Sequence, residues 1–195
     1  GINRNYNKMI HAASGDYILF LDDDDYISAT ADRSFFGAYL NTMEYDVVFT
    51  RTMRSYRNLK DVEVQRDCTG PKSAHVYSGL EVLENWMRRH KNFDAEFIIN
   101  TQGLFAKNHV VKKIRFSERC RYSADVFLWL KIAESCGVFA SVPESLVVYR
   151  VHRKSVSYGS FTNDSISTWL ENYNCYLDIV WDGSIRSRIN KHLTL

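Results

Sequence analysis

The sequence is short of proline and of organised cysteine. Only two prolines occur in 195 residues, and no internal repeat or low-complexity tract is visible. The four cysteines (Cys68, Cys120, Cys136 and Cys175) lie far apart, with no C-x-x-C pair and no histidine at metal-binding spacing. That pattern argues against a disulfide framework or a zinc site and reads as reduced, mostly buried thiols of a cytosolic protein. No apolar run approaches the ~20 residues of a membrane span, and no signal peptide opens the chain. An excess of one charge is lacking too. Against 25 basic side chains stand 23 acidic ones, a net charge of +2, which gives no reason to expect a nucleic-acid partner. Arg88-Arg89-His90-Lys91 and Lys112-Lys113 are short blocks and read as solvated faces.

What is present is an ordinary globular composition, 45% hydrophobic and 25% charged. The length suits one domain, and a chain of this size buries about 70% of its unfolded surface without needing a staple. Aromatics make up 14%. A ligand cleft and a large core explain them equally well.

Residues 3–14 predict a short helix with Ile10, Ala12 and Ala13 on its apolar side, ended by Gly15. Tyr17 to Leu21 is a continuous apolar run, the pattern of a strand buried on both faces in a parallel sheet. Residues 30–43 predict a helix, Asp46 to Thr52 a strand, and 54–75 a long loop or excursion hairpin. Ser78 to Arg89 predicts a helix capped by Ser78 and Glu81, with Leu80, Leu83 and Met87 as its stripe. Apolar stretches follow at Phe97-Ile98-Ile99, Leu104-Phe105 and Val110-Val111. Asp125 to Cys136 predicts a helix stopped by Gly137, then strands at Val138 to Ala140 and Leu146 to Val151, and a helical tail over 164–195. The alternation of helix and strand indicates an α/β domain.

The most informative stretch is Asp22-Asp23-Asp24-Asp25, directly after the apolar run. On a continuing strand Asp22 and Asp24 would point one way and Asp23 and Asp25 the other. Carboxylates crowded at a strand end repel unless a cation sits among them, and hard ions such as Mg²⁺ or Mn²⁺ often join carboxylates to substrate phosphates. Solvated aspartates capping the next turn are the plain alternative. A Ca²⁺-binding loop is the weaker reading, since the D-x-D-x-D-G spacing with a glutamate at the twelfth position is absent.

Two further constellations stand downstream. Asp125 falls in a first helical turn, with Ser123 as a candidate cap and the helix dipole favouring its charged form. By itself it reads as an ordinary first-turn aspartate. Val148-Tyr149-Arg150-Val151-His152-Arg153-Lys154-Ser155 combines charge-assisted donors for a diphosphate with an imidazole able to ligate a metal.

Asn7 to Tyr26, N-x-x-I-x-x-A-x-G-D-Y-I-L-F-L-D-D-D-D-Y, resembles the central block of glycosyltransferase family 2, the inverting GT-A enzymes. Met9 stands where that family has a glycine, and Tyr6 where it has an arginine. The resemblance extends in order through Asp125, preceded by Ala124 in place of a glutamate, to the Y-R-x-H-x-x-S-x-S segment at Tyr149 to Ser157. It implies a GT-A fold with a mixed, mostly parallel central sheet flanked by helices. The family's first nucleotide-binding strands have no counterpart in residues 1–6. Catalytic residues 1–160 and a helical extension at 161–195 form the expected division.

The resemblance also implies an inverting transfer of sugar from a nucleotide-diphosphate donor, a UDP-sugar first among them, with a role in surface polysaccharide or glycolipid synthesis. Asp125 takes the place of the base. Asp22, Asp24, Asp25, Arg150, His152 and Ser155 take the donor and cofactor positions, and Asp24, Asp22 and His152 the divalent metal (Mn²⁺ or Mg²⁺). Expected partners are the donor and a glycan or lipid-linked sugar acceptor, at the cytoplasmic face of the cell membrane. A non-catalytic carbohydrate-binding or scaffold domain, and an Mg²⁺-dependent phosphohydrolase, are the alternatives.

Overall fold

A computed structural model describes residues 2–28, 45–57, 63–69, 72–92, 104–118, 120, 124–135, 137–152 and 174. Helix α1 (Ile2–Ala12) buries Asn3 and Ile10, seven residues apart and so on one face. Of the expected apolar side only Ile10 is buried, because the face turned inward carries Asn3, Tyr6 and Asn7 instead of the alanines. The helix end is tied down from outside. Asn108 Nδ2 donates to the carbonyls of Ala13 and Gly15 at 3.1 and 2.6 Å, and Lys112 Nζ to Ala13 at 2.6 Å, which satisfies oxygens a helix terminus leaves unpaired.

Short strands β1 (Tyr17–Leu19) and β2 (Tyr26–Ile27) follow, then β3 (Val47–Arg57), β4 (Glu63–Thr69), β5 (His75–Ser78) and helix α2 (Gly79–Asn92). Strand β6 (Leu104–Lys107), helices α3 (Asn108–Ile114) and α4 (Ala124–Glu134) and strand β7 (Val138–Val151) complete the described elements. The sheet runs β1-β6-β3-β7-β2, with β4 added on β3 and β5 on β7.

The α/β class is as expected, but the sheet is not mostly parallel. Among the described residues only β3 and β7 pair in parallel, while β1/β6, β2/β7, β3/β4, β3/β6 and β5/β7 are antiparallel. The reason lies in the connections. A parallel pair needs a long crossover, and β3 and β7 have three of the described helices between them, whereas β4 follows β3 closely in sequence and pairs with it antiparallel. The hairpin reading of residues 54–75 thus holds over the loop reading.

The apolar-run argument also belongs to a different strand. In β1 all three residues are half-buried at the end of the sheet path. Val47-Val48-Phe49 of β3 is the run buried on both faces, at 0%, 3% and 1% exposure. Its side chains alternate as a strand requires. Val47 and Phe49 join Leu83, Leu104, Leu128, Ile132 and Phe139 in the helix-covered core. Val48 joins Phe105, Ala140 and Val147 on the opposite face.

β7 is one strand where two were expected. Its register against β3 slips between Val142 and Ser145, the position of Pro143, which has no N–H to give the ladder. At α2 the predicted cap is present. Ser78 N and Oγ both donate to Glu81 Oε2 at 2.7 and 2.9 Å, and Glu81 N donates back to Ser78 Oγ at 3.3 Å. The buried stripe is Val82, Leu83 and Trp86, with Leu80 only partly buried. Cys120 is buried, as expected of it. No helix among the described residues is long and apolar enough to cross a membrane. The helix expected over 30–43, the stretch Phe97 to Ile99, Ser123, Ser155 and the tail lie outside the described residues, Asn174 excepted, which is helical.

Candidate active site

β1 ends at Leu19, and the four aspartates form a turn, not a continuing strand: Asp25 N donates to the Asp22 carbonyl at 3.1 Å. This overturns the strict face alternation expected of them. A turn rotates consecutive side chains by amounts a strand does not, so Asp22, Asp24 and Asp25 converge with carboxylate oxygens within 4.8 Å of one another. Asp23 is exposed.

The far side of the cluster comes from β7. Antiparallel pairing of Tyr26 with Val148 brings the end of β7 against the aspartates. Arg150 N donates to Asp25 Oδ1 at 3.0 Å, and His152 Nε2 lies 2.8 Å from Asp24 Oδ2. Asp25 is 9% exposed, and its second oxygen, Oδ2, is buried without a hydrogen-bond partner among the described residues. Burial pushes its carboxyl up to about 7; the Arg150 backbone N–H and guanidinium pull it down, and the charges of Asp22 and Asp24 push it further up. A buried carboxylate oxygen with nothing to accept from is costly. Three converging oxygen donors, one of them orphaned, fit a hard divalent cation. His152 touches this group through Asp24 without being one of the three.

The near side comes from α1. The Tyr6 hydroxyl donates to Asp22 Oδ1. Burial, that hydrogen bond and the charges of Asp22, Asp125 and Asp23 all raise its pKa above the ordinary tyrosine value, so it stays a donor. Asp125, whose charge is among these, stands in the first turn of α4. Ala124 beside it is 6% exposed within the helix-covered core.

Two amides lock α1 to the segment that leads to Asp125. Asn7 Nδ2 donates to the Phe116 carbonyl at 3.0 Å while Phe116 N donates to Asn7 Oδ1 at 2.9 Å. Asn3 Nδ2 donates to the carbonyls of Ser117 and Cys120. Roles for Asn3, Tyr6 and Asn7 are not legible from residue type. The usable signal is their i, i+3, i+4 spacing on the face that also carries Ile10.

The chain matches the glycosyl transferase family 2 model over residues 1–114, more than half its length. It belongs to that family. Asp125 and His152 lie beyond the matched residues, so their roles rest on their own geometry. Among curated proteins no match is found. The fold of this family 2 chain is similar to that of S. aureus TarS 1–349 in complex with UDP, with a TM-score of 0.59 and 14% identity over 93% of this chain and 46% of that one. It is similar also to S. aureus TarS 1–349 in complex with UDP-GlcNAc, with a TM-score of 0.53 and 16% identity over 76% of this chain and 38% of that one. The chain therefore spans about half the length of the first of these structures. At such identities the likeness speaks to the fold alone, a GT-A-like sheet with flanking helices.

Proposed function

We propose that this chain carries the diphosphate and acceptor side of an inverting, nucleotide-sugar-dependent glycosyltransferase. The observation that carries the reading is the convergence of Asp22, Asp24 and Asp25 from one sheet end with His152 and Arg150 from another, in a family 2 chain.

Asp22, Asp24 and Asp25 would hold Mn²⁺ or Mg²⁺, which when bound supplies positive charge against a departing diphosphate. Arg150 adds a guanidinium at the same place, and Ser155 belongs with it by sequence. Asp125 accepts the proton of an acceptor hydroxyl as that oxygen bonds to the anomeric carbon. The carbon–oxygen bond to the diphosphate breaks, and its electron pair leaves with the nucleoside diphosphate. Attack from the opposite face inverts the anomeric centre. A UDP-sugar is the donor of choice, since the fold is shared with a protein crystallised with UDP and UDP-GlcNAc. A glycan or lipid-linked sugar at the cytoplasmic membrane face is the acceptor class. Residues 1–160 form the catalytic part and 161–195 an extension of it.

The test is Asp125→Asn. The variant is expected to fold, to bind UDP in Mn²⁺ as the parent does, and to lose about 10²–10⁴-fold in sugar transfer from UDP-GlcNAc. Retained turnover removes Asp125 as base, and UDP affinity unchanged by chelator in the parent removes the metal.

A further inference from the structure

Asp22 follows β1 on a turn, so the backbone alone does not fix its carboxylate. Its orientation decides whether the cluster offers two or three oxygens to one ion. The Tyr6 hydroxyl donates to it, and the position of that hydroxyl is set independently of the cluster. The Tyr6 ring stacks on Phe116 at 5.0 Å between centroids, with 20° between planes, and meets Phe20 edge-on at 6.3 Å. Phe20 in turn packs on Phe116 and Trp129. The helix carrying Tyr6 is locked to residues 116–120 by Asn3 and Asn7. A phenol gripped on two sides by aromatic rings, on a helix clamped at two amides, is a prepositioned donor.

We propose that Tyr6 is a positioning residue: it holds the Asp22 carboxylate in the orientation in which Asp22, Asp24 and Asp25 share one divalent cation. Through the same helix it sets that cluster against the segment leading to Asp125. The Asp25 oxygen buried without a hydrogen-bond partner is the independent sign that a cation belongs there. Donors behind a ligating group typically govern metal affinity by 10–100-fold, because they remove the ligand's freedom before the ion arrives. The proposal rests on the metal reading above.

The experiment is Mn²⁺ titration of the purified protein and of Tyr6→Phe, followed by calorimetry and by the near-UV tyrosine difference spectrum. Phenylalanine keeps both ring contacts, so the fold is expected to hold. Mn²⁺ affinity is expected to fall about tenfold in Tyr6→Phe. The tyrosine perturbation seen on Mn²⁺ addition to the parent is expected to vanish. A parent that binds no Mn²⁺ overturns the metal reading itself. A parent that binds, beside a variant within about twofold of it, overturns the positioning role alone. Should Tyr6→Phe not fold, the parent spectrum decides: no tyrosine perturbation on metal binding overturns the proposal.

Discussion

His152 Nε2 lies 2.8 Å from Asp24 Oδ2, although 128 positions separate the two residues in the chain. Both side chains are about one-third exposed, at 32% each, so the pair sits at an opening and not in the core. Such a surface contact adds little to stability. Its consequence is orientational.

His152→Ala is therefore expected to leave thermal stability nearly unchanged while weakening Mn²⁺ binding by about tenfold, as loss of a partner to a ligating carboxylate does. Calorimetric titration beside a melting curve checks both halves. A large drop in melting temperature with intact metal binding would assign the pair to the fold.

Asp25 gives the metal-free protein a pH dependence of definite sign. Its carboxyl is raised from the ordinary 3.8 to about 7, so between those values the folded state keeps a proton that the unfolded state has released. Stability contributed by this group must fall as pH rises through that window. In chelator, denaturant unfolding at about pH 5 and about pH 8 should show the parent losing stability, and Asp25→Asn losing less. Adding Mg²⁺ or Mn²⁺ at the higher pH should restore it, since the cation then takes the place of the proton.

Gly79 opens α2 against α4 so closely that an added Cβ would overlap the Ala133 carbonyl, a backbone atom that cannot turn aside. Gly79→Ala should cost about 3 kcal/mol through the forced separation of the two helices. Chemical denaturation measures it. A cost below about 0.5 kcal/mol would mean the helices part freely.

Much of the local structure could be read without coordinates. The Ser78–Glu81 cap and the placement of Asp125 in a first helical turn follow from neighbours within a few residues, where hydrogen bonding is local, whereas the pairing of β3 with β4 decided between the loop and the hairpin that residues 54–75 left open. The sheet was harder to read. An apolar run such as Tyr17-Ile18-Leu19 states that a strand is partly covered, and says nothing of which strand pairs with it or in which direction. The stripe of α2 shows the same limit: Val82 and Trp86 are buried in the helix-covered core while Leu80 is only partly buried, a choice that a helical period alone does not make.

The sequence by itself determined that carboxylates crowd a strand end, that an aspartate opens a later helix and that Arg150 and His152 close a strand, because those are matters of order and spacing. Only the tertiary structure decided that three of the four aspartates converge, that His152 comes to Asp24, and that Tyr6, Asn3 and Asn7 are the residues that hold the arrangement. Side-chain direction in a turn depends on its backbone hydrogen bonds, and contacts across more than a hundred residues depend on how the sheet pairs. Neither is encoded in any short window of the chain.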